Sequence, residues 1–188
     1  MYQSLDEMIG RIVEAAGKDA LVMLVSDHGA VADGPPFNPY DALVPAGLAV
    51  LEEKTREWDT GGVLADHAKY MVNWKKTKAV PQRDLYIYVN LQGRDPEGIV
   101  EPKDYEAVQQ QIIDALYDYK DPKNGKRVVS LALGKKDARI LGLYGDWVGD
   151  VVYALNPEYG AQHGQQLPAS ELVSGDQRSI VVMYGLGF

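Results

Sequence analysis

Helical and strand-like patterns alternate along this sequence, and the alternation restricts the chain to an α/β or α+β fold. Apolar residues recur at helical spacing in residues 5–16 and again in residues 104–119. Ser4 and Glu7 match a capping box at the start of the first helix, and Gly17 provides its stop. Short apolar or β-branched runs predict strands at residues 20–25, 85–91, 127–133, 150–155 and 179–184.

The chain is predicted to form one domain over residues 1–188. With 188 residues and 46% apolar content, it can bury one substantial core. No internal repeat, low-complexity tract or Ser/Gly linker divides it. Residues 30–77 have a weaker pattern, broken by Gly34-Pro35-Pro36 and Gly61-Gly62, and we interpret them as an irregular insertion within the domain.

Composition limits the chemistry and the partners. The chain has no cysteine, so a metal must bind carboxylate, imidazole or backbone oxygen. Its net charge of −8 disfavours nucleic acid as a partner, because proteins that bind nucleic acids neutralise the phosphates with a basic surface. No stretch reaches the roughly 18 apolar residues that span a bilayer, so no membrane contact is expected in this segment.

Asp27-His28-Gly29 directly follows the apolar run at residues 20–25, which predicts a buried strand. Residues just beyond the carboxyl end of a strand line the crevice where α/β proteins bind ligands, and Asp and His both bind metals. The alternative is an ordinary turn in which the aspartate accepts backbone hydrogen bonds. His163 is also followed by glycine, which permits close approach of a ligand. His67 neither follows a predicted strand nor precedes a glycine, and we interpret it as a surface or packing histidine.

Other polar or glycine-rich segments give weaker indications. The segment from Gly93 to Gly98 contains turn-forming residues and a neighbouring Arg94-Asp95 pair, which predicts a solvated turn. No GxxxxGK[ST] or GxGxxG motif stands between a strand and a helix, and no GxSxG elbow occurs. Phosphate-loop nucleotide binding and serine-hydrolase chemistry therefore have no support.

In order along the chain, five blocks resemble the carboxyl-terminal half of the type I phosphodiesterase/nucleotide pyrophosphatase family, within the alkaline phosphatase superfamily. Asp-His-Gly alone would be a weak match, whereas five blocks in the same order are specific. The blocks are Val25-Ser26-Asp27-His28-Gly29, Asn38 through Gly47-Leu48, Trp74 through Ala79, Tyr88 through Val100, and Gln162-His163-Gly164 with the later Tyr184 through Phe188.

The resemblance implies a metal-dependent phosphoesterase acting on small-molecule phosphodiesters or phosphomonoesters. It implies an α/β fold of the alkaline-phosphatase type, with a central, mostly parallel sheet flanked by helices. The family holds two divalent metals, commonly zinc, with three Asp and three His. By resemblance, Asp27 and His28 would bind the metal that contacts the nucleophile, and His163 would bind the other. Zinc is expected, and manganese is the alternative.

Two parts of the family pattern are missing from this sequence. The family has an Asp four residues before a His, but Leu24, Val63 and Tyr159 occupy that position here. Only 26 residues precede Asp27, so the Thr or Ser nucleophile is expected upstream and no catalytic residue is assigned in this chain. We therefore expect a carboxyl-terminal fragment that holds part of each metal site and does not turn over substrate alone.

Two alternative functions remain open from the sequence. One is a non-catalytic domain that keeps the fold and binds a protein partner. The other is a phosphomutase or sulfatase of the same superfamily.

Overall fold

The computed structural model describes residues 2–29, 34–53, 70–82, 85–160 and 179–185. The chain divides into two compact units. The first unit comprises Met1–Ala32 and Pro168–Phe188, and the second comprises Asp33–Leu167. Helices and strands are mixed, as the alternating pattern predicts, whereas the assignment to a single domain stays a prediction.

The first unit contains one helix and two strands. Helix α1 spans Tyr2–Ala16, strand β1 spans Val22–Val25 and strand β8 spans Val181–Tyr184. β1 and β8 pair antiparallel, with Val22 opposite Tyr184 and Val25 opposite Val181. Both elements expected near the amino terminus therefore form.

Burial of the first strand is where the sequence-based prediction is wrong. Met23 is 51% exposed and Val25 is 57% exposed, and the β8 side chains are exposed too. The physical reason is that β1 has only β8 beside it among the described residues, and α1 also buries none of its side chains. An apolar run therefore shows that a strand forms here without showing what covers it.

The second unit is built on a four-stranded sheet. Its strands span Ala79–Gln82 for β4, Tyr86–Val89 for β5, Val129–Gly134 for β6 and Val151–Leu155 for β7. Their order in the sheet is β4-β5-β7-β6. Helix α3 spans Tyr105–Asp118 and packs on this sheet. The unit also contains a short helix α2, Tyr40–Leu43, and a two-stranded sheet of β2, Leu51–Glu53, and β3, Tyr70–Val72.

The strands of the described ranges all pair antiparallel, so the expected mostly parallel central sheet is not confirmed. A parallel contact within those ranges occurs at the bridge between Leu91 and Val100. The β6–β7 pairing contains an irregularity between Val129 and Leu131. The second unit is therefore an antiparallel sheet covered by a helix.

The core of the second unit lies between α3 and the sheet. Three residues at helical spacing, Val108, Ile112 and Leu116, are at most 5% exposed and form the buried stripe of α3, as the sequence predicts. They pack in one cluster with residues of the sheet and of the segment before it: Phe37, Leu43, Leu48, Ile87, Val89, Val129, Val151, Tyr153 and Leu155. Burial of this apolar surface is the main stabilising contribution to the unit.

Asn90 connects two segments that were singled out in the sequence, residues 74–79 and 88–100. Its side-chain Nδ2 donates to the carbonyl oxygens of Trp74 at 2.9 Å, Thr77 at 3.0 Å and Glu97 at 3.0 Å. The hydroxyl of Thr77 extends the connection, because Val50 N donates to Thr77 Oγ1 at 3.0 Å. Two of the family-like blocks therefore meet at one buried amide.

Two glycines serve close packing or a turn in the second unit. A Cβ on Gly98 would overlap the backbone carbonyl of Leu91, so the turn closes only with glycine there. Gly125 has φ of 71° and its N–H donates to Asp121 O at 2.7 Å, so glycine permits the turn at Asn124-Gly125.

Candidate metal site and the Asp150 network

The Asp27-His28 pair is positioned by the pairing of β1 with β8. Immediately after β1, Ser26 N donates to Ile180 O at 3.1 Å, and Ile180 N donates to Ser26 Oγ at 2.9 Å. These two bonds hold the residue before Asp27 against the residue before β8. The backbone directly before the candidate ligands is therefore held by hydrogen bonds to the segment that leads into β8.

The donor atoms of Asp27 and His28 lie close together. Asp27 Oδ2 and His28 Nε2 are 3.6 Å apart, and the two side chains are 88% and 41% exposed, in that order. Two ligands of a tetrahedral metal at about 2.1 Å each are separated by about 3.4 Å. The observed separation thus fits two ligands of one ion.

The other ring nitrogen of His28 indicates which tautomer fits the site. His28 Nδ1 is within hydrogen-bond distance of the carbonyl oxygen of Gly29. A carbonyl oxygen only accepts, so this contact fits the tautomer with the proton on Nδ1 and the lone pair on Nε2. Metal-ligating histidines commonly donate their second N–H to a backbone carbonyl in this way. The local geometry therefore fits a metal ligand.

Within residues 2–29, 34–53, 70–82, 85–160 and 179–185, no group of three or more His, Asp and Glu side chains could hold a metal. The third predicted ligand, His163, lies outside the described residues, as does His67. The structure thus brings Asp27 and His28 together, and the proximity of His163 to them stays a prediction.

A second polar cluster, which the sequence did not reveal, surrounds Asp150. The side chain of Asp150 is 1% exposed and accepts four hydrogen bonds. Arg94 donates from Nη1 to Oδ1 at 2.9 Å and from Nη2 to Oδ2 at 2.8 Å. Tyr105 Oη donates to Oδ1 at 2.7 Å, and Val89 N donates to Oδ2 at 2.7 Å. A bidentate Arg–carboxylate pair of this kind is a strong, specific contact.

This cluster corrects the interpretation of the Arg94-Asp95 pair as solvated. Asp95 accepts from Leu91 N at 2.7 Å and from Arg94 Nη2 at 3.0 Å, and the same guanidinium also binds the buried Asp150. The hydrogen bond from Arg94 to Asp150 is the largest of the contributions that raise the pKa of Arg94. The turn from Gly93 to Gly98 therefore fixes β5, α3 and β7 together. An acidic residue directly before the buried run 151–155 was the available sequence signal.

Replacing Tyr105 with phenylalanine is expected to make the unfolding free energy depend less on pH in the alkaline range. Burial, and then the hydrogen bond to Asp150, raise the pKa of Tyr105 above the ordinary value of about 10. The neutral phenol is favoured in the folded state, so its contribution is full below about pH 10 and is lost as the pH rises toward the folded pKa. Tyr105→Phe should cost about 1–2 kcal/mol at pH 8.

Urea unfolding at a series of pH values checks this expectation. The decline in unfolding free energy above about pH 10 should be shallower in Tyr105→Phe than in the unmodified chain. Tyr144→Phe is the control, because Tyr144 is 74% exposed and its removal should leave the slope unchanged. Equal slopes in all three proteins would contradict the role of Tyr105.

The described helices include none that is long and apolar enough to cross a bilayer. Neither a curated protein nor a solved structure matches the chain. A family of proteins described as type I phosphodiesterase / nucleotide pyrophosphatase matches residues 1–178. This match covers nearly the whole sequence, including Asp27 and His28 beyond β1 and the segments joined by Asn90 and Asp150. The chain therefore belongs to the type I phosphodiesterase/nucleotide pyrophosphatase family.

Proposed function

We propose that this chain is part of a metal-dependent phosphoesterase in which Asp27, His28 and His163 bind metal. The observation that carries the proposal is the 3.6 Å separation of Asp27 Oδ2 and His28 Nε2, beyond a strand end. Membership of the family supports a hydrolase acting on small-molecule phosphoesters, and the family is generally metal-dependent.

The proposed site uses two divalent ions, with zinc expected and manganese as the alternative. Asp27 and His28 would hold one ion, and His163 would help to hold the other. Two such ions supply positive charge that stabilises the attacking and leaving oxygens of an in-line phosphoryl displacement. Carboxylate oxygen and neutral imidazole nitrogen form a donor set that suits zinc and tolerates manganese.

The residues of this chain have distinct tasks in the proposal. The carboxylate of Asp27 contributes negative charge, and its backbone neighbour Ser26 is held by two hydrogen bonds to Ile180. The carbonyl of Gly29 favours the tautomer with the proton of His28 on Nδ1, which puts the lone pair that a metal ligand needs on Nε2. Gly29 and Gly164 leave room for substrate beside the ligands, since neither carries a side chain.

The proposal includes a larger, mostly parallel sheet around β1. The exposed apolar side chains of β1 and β8 support it, because an isolated two-stranded sheet is at best marginally stable in water. Further strands beside β1, with helices packed on the faces of the sheet, would remove these side chains from water. The pair Asp27-His28 would then lie at the carboxyl edge of that sheet, where α/β proteins bind ligands.

The complete reading frame, expressed and stripped of metal with EDTA, tests the proposed function. We expect hydrolysis of bis(p-nitrophenyl) phosphate or p-nitrophenyl phosphate to disappear on stripping and to return with zinc or manganese. The 188-residue chain alone is expected to be inactive, because by resemblance it carries three of six ligands. Full turnover in the stripped enzyme, or preferred hydrolysis of p-nitrophenyl sulfate, would contradict the proposal.

A further inference from the structure

The connection between β6 and β7, residues 135–150, is a packed structure. Its base is closed by a hydrogen bond from Lys135 N to Asp150 O at 2.8 Å. A short 3-10 helix spans Asp137–Leu141, and a small cluster of Ala138, Val148 and Val152 anchors the connection. The connection is therefore held in place against the sheet of the second unit.

A cleft of about 320 Å³ lies between this connection and the first half of α3. Its volume is at the lower end of the range of about 300–1,000 Å³ that small-molecule sites occupy. The lining side chains come from both elements, and those that bear on a ligand are charged or aromatic: Glu106, Lys135, Lys136, Arg139, Tyr144 and Asp146.

Three cationic side chains line this cleft although the whole chain carries a net charge of −8. Lys135 Nζ donates to Asp146 O at 3.2 Å, so that ammonium group already has a partner among the lining residues. Lys136 and Arg139 form no ion pair with any residue that the structure describes. Their charges are therefore available to an anion entering the cleft.

The remaining lining groups indicate what else the ligand carries. The carboxylates of Glu106 and Asp146 can accept hydrogen bonds from hydroxyl groups. The ring of Tyr144 is 74% exposed and offers a flat apolar surface beside the charges. A bare inorganic anion would use the cations and leave these groups unused.

We propose that this cleft binds a hydroxyl-bearing phosphate monoester, of the sugar phosphate class. Lys136 and Arg139 hold the phosphate, Glu106 and Asp146 accept from the hydroxyls, and Tyr144 packs against the carbon skeleton. The lining includes neither Asp27 nor His28, so the inference goes beyond the proposed function.

Isothermal titration with glucose 6-phosphate tests the site. EDTA in the buffer keeps divalent metals from contributing. We expect saturable binding of glucose 6-phosphate, weaker binding of inorganic phosphate and none of glucose. The double variant Lys136→Ala with Arg139→Ala should bind glucose 6-phosphate at least tenfold more weakly. Both side chains are exposed, so the variant should fold, and circular dichroism checks that it does.

Two matched variants separate the cleft from other sites. Lys120→Ala with Lys123→Ala removes two exposed lysines elsewhere on the second unit and should bind like the unmodified chain. Asp27→Ala with His28→Ala removes the candidate metal ligands and should also leave binding unchanged. The inference is overturned if glucose 6-phosphate does not bind, if the Lys136/Arg139 variant binds normally, or if the Asp27/His28 variant loses binding. Equal affinity for inorganic phosphate would overturn the sugar phosphate assignment.

Discussion

Replacing Asp27 with alanine in the complete enzyme is expected to lower kcat/KM for an aryl phosphodiester by more than about 100-fold. Loss of a group that merely orients a metal ligand costs about 10–100-fold in metal affinity or activity, and loss of a ligand should cost more. His163→Ala should have an effect of the same order, because we propose that His163 holds the second ion. Metal content by plasma mass spectrometry should fall in both variants.

His67→Ala is the control for His163→Ala. Both remove an imidazole followed by a small residue, but only His163 has the setting of a ligand in the sequence. We expect His67→Ala to keep the metal content and turnover of the unmodified enzyme. A folded Asp27→Ala or His163→Ala enzyme with unchanged turnover would contradict the ligand assignment.

Replacing Asp150 with asparagine should destabilise the second unit by about 3 kcal/mol. Removing one partner of a buried ion pair costs about 3–5 kcal/mol. We expect the lower end because Arg94 is 37% exposed and water can hydrate it after the change. The asparagine amide would also face the donors Val89 N and Arg94 with its own NH₂ group. Urea unfolding followed by circular dichroism measures the loss.

Two variants provide comparisons for Asp150→Asn: Arg94→Met removes the partner of Asp150, and Glu158→Ala is the control for an exposed ion pair. Arg94→Met should cost at least as much as Asp150→Asn, because it leaves the charge of a side chain that is 1% exposed without its counter-ion. Glu158→Ala breaks an exposed pair with Lys126 and should not shift the unfolding midpoint measurably. If Asp150→Asn behaved like Glu158→Ala, the network would not be a stabilising feature of the second unit.

Local patterns were enough to predict α3, β5, β6 and β7 of the second unit, but they did not predict α2, β2, β3 or β4. The spacing of Val108, Ile112 and Leu116 predicts both α3 and its buried face, because helical periodicity reflects burial directly. The same reasoning failed for β1, where the apolar run predicts a strand correctly but says nothing about neighbours. Strand direction and burial depend on pairing partners, which a local pattern does not contain.

The sequence predicted which polar residues lie close together only where those residues are adjacent in the chain. Asp27 and His28 are adjacent, so their proximity follows from the sequence alone. Arg94 and Asp150 are separated by 56 residues, and neither residue carries a local signal of the other. The contacts of Asn90 with Trp74 and Glu97 are likewise tertiary, although family resemblance marks both segments. Distant polar pairs therefore required the coordinates.

The pairing of β1 with β8 determines which parts of the protein can fold first during its synthesis. Ser26 and Ile180, which bond to each other beside the candidate ligands, are 154 residues apart, whereas Asp150 and Val89 are 61 apart. At about 5–20 residues per second, a ribosome needs about 8–30 s to add those 154 residues. The apolar strand β1 must remain without its partner over that interval, while the second unit can already fold. The backbone beside Asp27 and His28 is therefore fixed only after the sheet and helix α3 of the second unit have been synthesised.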